Sequence, residues 1–138
     1  IYLRNELGEN LKSITGTAQY EVNKLSAELG NADVELVRKE LGTEFDMIVH
    51  EPDGILEIGQ AGHSKASGIE RLCASLGIAK EDTYAFGDSA NDVEMLEFVA
   101  HGIAMGNGTD VAKNAAEFVT TDIHKDGIWN GLKHYGLI

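Results

Sequence analysis

Cysteine, basic residues and long apolar runs are all scarce in this 138-residue sequence. The single cysteine, Cys73, cannot form an internal disulfide, which is the usage expected in the reducing cytosol. Lys and Arg number 11 against 23 Asp and Glu, and the net charge of −12 argues against a nucleic-acid partner, because phosphate backbones are bound by basic surfaces. No apolar run reaches the roughly 18 residues that a membrane-spanning helix needs, and the charged start of the chain is unlike a signal peptide. The composition therefore predicts a cytoplasmic protein that has neither a membrane nor a nucleic acid as its partner.

The length and the apolar content are those of about one globular domain. Apolar residues make up 43% of the chain, which is an ordinary share. The acidic excess has a plain interpretation, which is solubility. It also implies that any phosphate chemistry in this protein needs a local cation, either a metal ion or a suitably placed lysine.

In the second half of the chain, short apolar runs alternate with segments of helical periodicity. Ile69, Leu72 and Leu76 recur at helical spacing before Gly77 ends the segment. Such an alternation of helices and strands favours a parallel α/β sheet. The predicted strands are 83–87, 101–106 and 117–121, and the predicted helices are 64–78, 90–99, 108–116 and 126–136. Thr109 is the expected N-cap of the third of these helices.

The first half of the chain has a different pattern. A helix is predicted over residues 31–42, with Asn31 or Asp33 near its cap. Residues 1–30 are ambiguous, although three leucines at helical spacing near the start suggest a helix there.

A β-hairpin is predicted next in the first half. The apolar runs 45–51 and 55–60 flank the tripeptide Pro-Asp-Gly, which is a turn signal, so the two runs are expected to pair as antiparallel strands. The glycines between residues 59 and 62 follow directly and indicate a boundary between two parts of the chain.

The stretch "YAFGDSANDVEML" places two carboxylates and an amide within five positions. Asp88 follows a predicted parallel strand, at the end where open α/β sheets bind ligands. Asp92 lies in the first turn of the next helix, so the two carboxylates can converge on one point. Hard oxygen ligands of this kind suit Mg²⁺ with water and substrate phosphate, and Asn91 could orient a phosphate oxygen. Ser89 and Asp92 also match a helix capping box, so the spacing alone leaves a structural and a functional interpretation open.

Lys65 is the other candidate residue. It begins a predicted helix, where a cation opposes the helix dipole by about 0.3–1 kcal/mol. Ser67 and Glu70 offer capping-box chemistry nearby, so the helix does not need the lysine. A lysine in this unfavourable position is consistent with a ligand role, and a solvated surface lysine is the plain alternative.

Five short motifs follow one another in order: a Ser-Lys helix start, Gly-Asp-x-x-Asn-Asp, Ala-Met-Gly-Asn at a strand end, a Val-Thr pair, and Asp-Gly before the last helix. With them, residues 56–138 resemble the C-terminal part of the haloacid dehalogenase (HAD) superfamily, in its Cof-like branch. The resemblance implies a Rossmann-like core with a parallel sheet, and a Mg²⁺-dependent phosphatase acting on a small phosphate ester. It implies that Lys65 holds the phosphoryl group and the nucleophile, and that Asn91 supports the phosphate or Lys65. It also implies that Asp88 binds the metal and that Asp92 binds it directly or through water.

The nucleophile motif of that family, Asp-x-Asp, does not occur in the sequence. The nearest similar stretch, "MIVHEPDGIL", places Glu51 and Asp53 after an apolar strand. It lies only 14 residues before Lys65 and is better explained as a hairpin turn. The resemblance therefore implies that residues 1–62 are the C-terminal part of an α/β cap domain and that residues 63–138 are the C-terminal half of the catalytic core. The nucleophilic Asp is then expected outside this sequence, on a missing N-terminal half or on another chain.

Three functions stand as hypotheses. The first is a part of a phosphatase that hydrolyses small phosphorylated metabolites, such as sugar phosphates, through an aspartyl phosphate, with the 138 residues inactive alone. The second is a non-catalytic module that binds Mg²⁺ or phosphate, which the missing Asp-x-Asp motivates. The third is a phosphomutase or phosphotransferase of the same superfamily.

Overall fold

A computed structural model describes residues 24–31, 33–50 and 54–138, which form two three-stranded sheets. The first sheet is antiparallel and has the strand order β1-β3-β2. Its strands are β1 (Lys24–Glu28), β2 (Phe45–His50) and β3 (Ile55–Gln60), and helix α1 (Val34–Leu41) connects β1 to β2.

Alternation along β3 separates the two faces of the antiparallel sheet. Glu57 lies on one face, directly across from Ser26 of β1 and Ile48 of β2. Its neighbour Leu56 lies on the opposite face and is only 3% exposed. Met47 shares that opposite face and is also buried. One face of this sheet is therefore apolar, and the face that carries Glu57 is largely polar.

Helix α1 begins where the sequence predicted. Asp33 is its N-cap, and the Asp33 carboxylate accepts hydrogen bonds from the backbone N–H groups of Glu35 and Leu36 at 3.0 and 3.3 Å. Gly42 ends the helix with a φ of +66°, a left-handed value that glycine adopts without strain.

The second sheet is parallel and has the strand order β4-β5-β6. Its strands are β4 (Tyr84–Gly87), β5 (His101–Ala104) and β6 (Phe118–Val119). The helices around it are α2 (Lys65–Leu76) before β4, α3 (Val93–Phe98) between β4 and β5, α4 (Asp110–Ala115) between β5 and β6, and α5 (Gly127–His134) after β6.

The apolar core lies around the central strand β5. Ile103 is fully buried, and Leu96 of α3 and Ala112 of α4 are 2% and 0% exposed. Helix α5 packs closely on the same sheet, because a Cβ atom at Gly131 would lie 2.5 Å from the ring of Phe86. The carboxyl ends of three strands are thus held by a packed core, which gives the site at those ends a fixed base.

The α/β class, the parallel sheet of the second half and the β-hairpin of the first half are confirmed. Strand β1 was not predicted, because residues 1–30 were left ambiguous. Residues 1–23, including the suggested early helix, and residues 51–53, including Glu51 and Asp53, lie outside the described residues. The boundary at residue 62 falls between the two sheets, and the division into a cap part and a core part remains a proposal.

Among the helices in the described ranges, none is long and apolar enough to cross a membrane.

Candidate active site

Asp88 directly follows Gly87, the last residue of β4, so it lies at the carboxyl end of the parallel sheet. Its side chain is exposed, and it makes no hydrogen bond or ion pair with any residue that the structure describes. Its backbone is fixed, because its carbonyl oxygen accepts a hydrogen bond of 2.8 Å from the N–H of Thr109. The structure thus presents an unpartnered carboxylate from a rigid backbone.

Asp92 is buried, with 4% of its surface exposed, and both of its carboxylate oxygens are engaged. Oδ2 accepts hydrogen bonds from the backbone N–H groups of Asp88 and Ser89, at 2.9 and 3.3 Å. Oδ1 accepts a hydrogen bond from Nζ of Lys65, 27 residues earlier in the chain. The structural interpretation of the motif is confirmed, since one oxygen fixes the turn, and the other oxygen holds the lysine.

The contacts of Asp92 also set its charge. Burial opposes ionisation, but the hydrogen bond from the Lys65 ammonium and those from the two backbone N–H groups outweigh it, and the pKa of Asp92 lies below its usual range. Asp92 is therefore a stable anion that orients the side chain of Lys65. The side chain of Lys65 remains 49% exposed, so its ammonium retains donors for a ligand.

Lys65 is the first residue of α2, as predicted, but the cap of this helix differs from the prediction. The N-cap is Ser64, whose hydroxyl accepts a hydrogen bond from the N–H of Ser67, and the N–H of Ser64 donates to the hydroxyl of Ser67. Glu70 takes no part in this reciprocal cap. The backbone N–H groups of Ser64 and Ser67 thus have hydrogen-bond partners without any contribution from Lys65, whose side chain is available to reach Asp92.

Asn91 lies in the short 3₁₀ turn before α3. Its side-chain carbonyl accepts a hydrogen bond of 2.6 Å from the hydroxyl of Ser89. Its amide NH₂ group has no partner within the described part of the chain. The structure does not bring Asn91 into contact with Lys65, although both side chains line the same cleft.

The loop after β5 completes the support of this site, and the sequence alone did not reveal it. A Cβ atom at Gly108 would lie 2.9 Å from the carbonyl oxygens of both Asp88 and Met105, so only glycine fits there. Thr109 occupies the N-cap position of α4, but its hydroxyl does not cap the helix and instead donates to the carbonyl of Asp88 at 3.3 Å. The signals in the sequence were the glycines at 106 and 108 and the Ala-Met-Gly-Asn motif at the strand end.

The donor set fits a magnesium ion in part. Asp88 and Asp92 offer hard carboxylate oxygens at one strand end, and Mg²⁺ usually takes one or two carboxylates together with waters and substrate phosphate. In the described ranges, no three His, Cys, Asp or Glu side chains converge on one metal position. The two carboxylates therefore form half of such a site rather than a complete cage.

A cleft of about 760 Å³ opens between the two sheets, and its described lining includes neither Asp88 nor Asp92. Lys65 and Asn91 line it on the side of the parallel sheet, and Lys24, Asp46 and Glu57 line it from the antiparallel sheet. Small-molecule sites commonly have volumes of about 300–1,000 Å³. The cleft is therefore large enough to hold a small metabolite next to Lys65.

Known proteins share both the sequence and the fold. A 5-amino-6-(5-phospho-D-ribitylamino)uracil phosphatase of Bacillus subtilis is 36% identical over 96% of this chain and 47% of its own length. A Geobacillus stearothermophilus protein from the 5′ region of pdhA is 54% identical over 78 residues, which are 56% of this chain and 82% of that protein. The solved structure of a HAD subclass IIB sugar phosphatase superposes with a TM-score of 0.78 at 31% identity, over 86% of this chain and 45% of that one.

The chain thus spans less than half the length of each of these two phosphatases. A family model described as haloacid dehalogenase-like hydrolase matches residues 5–132, which is nearly the whole sequence. This chain belongs to the haloacid dehalogenase-like hydrolase family.

Proposed function

We propose that this chain supplies the phosphate-binding and magnesium-binding half of the active site of a phosphatase that acts on small phosphorylated metabolites. The observation that carries the proposal is the ion pair between Lys65 and the buried Asp92, formed beside Asp88, whose carboxylate has no partner among the described residues. The relatives support the reaction class, since two of them are named phosphatases. The partner is a small phosphate ester, in a cytoplasmic protein without a nucleic-acid or membrane partner.

Each side chain has a distinct part in this proposal. Lys65 offers the donors that Asp92 does not take to the oxygens of the phosphoryl group, and Asp92 holds the ammonium in place. The free NH₂ group of Asn91 donates to a further phosphate oxygen. Phosphoryl transfer depends mainly on positioning and on neutralising negative charge, and these groups provide both.

Asp88 would hold the magnesium ion, and Asp92 would add to its binding directly or through a water. The ion, when bound, supplies a positive charge that stabilises the transferring phosphoryl group. The nucleophile is an aspartate outside these 138 residues. It attacks phosphorus, the ester P–O bond breaks and the alcohol leaves, and water then hydrolyses the aspartyl phosphate to inorganic phosphate and the free aspartate. The 138 residues alone are expected to be inactive, so activity is measured on the whole protein that carries them.

The test compares the whole protein with its Asp88→Ala variant, by release of inorganic phosphate from a panel of phosphomonoesters with magnesium or with a chelator. We expect the variant to lose at least about 10²-fold in kcat, the usual effect of removing one preorganised charge-stabilising group. Ordinary turnover by the variant would contradict the assignment. Product analysis in the same assay separates hydrolysis from transfer to a sugar hydroxyl.

One observation favours a second function, which is non-catalytic binding. The sequence contains no Asp-x-Asp motif, so these residues could bind phosphate and Mg²⁺ without turnover. Calorimetric titration of the 138-residue chain tests this idea. A chain that takes up neither Mg²⁺ nor inorganic phosphate at millimolar concentration is not such a module.

A further inference from the structure

We infer that Ser89 is a positioning residue for phosphate binding, because its hydroxyl holds the side-chain amide of Asn91 in the orientation that leaves the NH₂ group free for a ligand. This inference rests on the proposed phosphatase function and adds one residue to the same site. Asn91 lines the cleft and Ser89 does not, so Ser89 acts on a ligand only through Asn91.

The length of the hydrogen bond between the two side chains shows which end of the amide faces Ser89. The hydroxyl oxygen of Ser89 lies 2.6 Å from Oδ1 of Asn91. Hydrogen bonds between two oxygens are typically about 2.5–3.0 Å long, whereas N–H···O bonds are about 2.7–3.2 Å. The hydroxyl therefore donates to the amide carbonyl, and the NH₂ group of Asn91 is left without a partner among the described residues.

The backbone of Ser89 is fixed by Asp92, so its hydroxyl is a stable reference point for the amide. The N–H of Ser89 donates to Oδ2 of Asp92 at 3.3 Å, and the carbonyl oxygen of Ser89 accepts a hydrogen bond of 3.0 Å from the N–H of Asp92. Oδ1 of Asp92 in turn accepts from Nζ of Lys65. The same network thus holds the Lys65 ammonium and the Asn91 amide, which are the two proposed phosphate donors.

The orientation of the amide decides whether Asn91 attracts or repels a phosphate. The two ends of the amide are similar in size, but the oxygen only accepts hydrogen bonds and the NH₂ group only donates them. An amide turned by 180° would present its oxygen to a phosphate oxygen, and two acceptors repel each other. The hydroxyl of Ser89 stabilises the donating orientation before a ligand arrives, which is a form of preorganisation.

Ser89 is also the N-cap residue of the 3₁₀ turn Ala90–Asp92, so the experiment must separate a structural role from a positioning role. A disturbed turn would displace Asp92 and with it Lys65, and would lower kcat. The loss of one phosphate donor weakens substrate and transition-state binding alike, which raises KM and leaves kcat nearly unchanged.

The experiment uses the whole protein, the phosphomonoester that the wild type hydrolyses fastest, and inorganic phosphate as a competitive inhibitor. For Ser89→Ala, we expect KM and the inhibition constant of phosphate each to rise about tenfold, the scale of one hydrogen bond to a charged group, with kcat within about threefold of the wild type. Asn91→Ala should raise both constants at least as much. In the Asn91→Ala background, Ser89→Ala should change them by less than about twofold, because its route to the ligand has been removed.

Ser75→Ala is the matched control. The hydroxyl of Ser75 also donates to a carbonyl oxygen, that of Leu72 at 2.9 Å, but it lies on α2 outside the cleft. The control is expected to change neither constant.

Three outcomes would overturn the role of Ser89. These are a Ser89→Ala variant with unchanged constants, a loss confined to kcat, and a loss of equal size with and without the side chain of Asn91. In the last case the hydroxyl would act on the turn and not on the amide. A wild-type protein that hydrolyses no phosphomonoester refutes the proposed function itself, and the role of Ser89 with it.

Discussion

The two sheets differ in how completely the described residues cover them. Among the residues that the structure describes, nine apolar side chains are buried, and only Met47 and Leu56 of these belong to the antiparallel sheet. The others surround the parallel sheet, where Ile103 and Ala104 are fully enclosed. Helices α1 and α2 each bury no residue, whereas α3, α4 and α5 each bury at least one. The parallel sheet has its own core, whereas the antiparallel sheet is a single layer with one thinly packed helix.

This difference separates the tasks of the two regions. The residues proposed to bind phosphate and metal stand on the packed region, where small displacements are costly. The antiparallel sheet, which forms the other wall of the cleft, belongs to the thin region, which is expected to open locally at a lower free energy. A rigid base for the chemistry thus faces a more adaptable wall for recognition.

The largest effect is expected from removing the centre of the packed region. Ile103→Ala leaves a cavity in a site that cannot collapse easily and should lower the free energy of unfolding by about 2–5 kcal/mol. Leu56→Ala is the counterpart in the antiparallel sheet and should cost clearly less. Urea denaturation of both variants measures the difference, and a larger loss for Leu56→Ala would reverse the comparison.

Gly108→Ala is expected to disturb the site more locally. Its new methyl group would meet the carbonyl oxygens of Asp88 and Met105, and such overpacking against backbone costs about 1–3 kcal/mol. The phosphatase activity of the whole protein should also fall, because the new methyl group displaces the backbone of Asp88. Gly68→Ala in α2 is the control: nothing lies within 4 Å of its Cβ position, so it should be neutral or stabilising by up to about 1 kcal/mol. Full activity of Gly108→Ala would show that the loop does not position Asp88.

Asp92→Asn is expected to lower stability by about 1–2 kcal/mol at pH 7, since it removes the negative charge that faces Lys65 and turns one of the two accepting oxygens into an NH₂ group. The pKa of Asp92 is lower in the folded protein than in the unfolded chain, so its contribution is complete above the unfolded pKa of about 4 and disappears as pH falls through the folded value. Urea unfolding at several pH values should show the gap between variant and wild type closing below about pH 4. The exposed Glu70→Gln on α2 is the control. A gap that stays constant into acid would mean that Asp92 acts by shape and not by charge.

The smallest effect on stability is expected from a substitution at the amino ends of the strands of the parallel sheet, where Glu117 and Tyr135 lie. Burial of the phenol and the nearby Glu117 carboxylate, which accepts its hydrogen bond at 3.0 Å, raise the pKa of Tyr135 to about 12. Glu117→Gln should lower that pKa towards 10 while leaving stability at pH 7 nearly unchanged. Difference absorbance during alkaline titration follows the phenolate, and an unaltered titration would show that burial alone sets the value.

Much of the fold could be predicted because its signals are local. Apolar spacing with Gly77 marked α2, Asp33 marked the start of α1, and the turn signal marked the hairpin. Strand β1 could not be predicted, because "KLSAE" has two apolar residues in five and becomes a strand through its pairing with β3. The β-strand propensity of these five residues is weak, so their pairing with β3 determines their conformation.

The candidate site likewise has residues that the sequence predicts and contacts that it does not. Asp88 at a strand end and Lys65 at a helix start could be located from pattern alone. The bond between Lys65 and Asp92 spans 27 residues and depends on how α2 packs beside β4, which no local pattern encodes. The support of Asp88 by Thr109 was missed for the same reason, since it joins two loops that only the parallel sheet brings together.

The strand order also determines where an additional strand could join the parallel sheet. Within the described residues, β4 pairs with β5 alone, so one side of β4 is an open edge with unused backbone donors and acceptors. A strand added there in parallel would run in the same direction as β4 and end level with Asp88. The residue that follows such a strand would therefore arrive directly beside the cluster of Asp88, Asp92 and Lys65. The open edge is thus a template that determines where an additional side chain would enter the site.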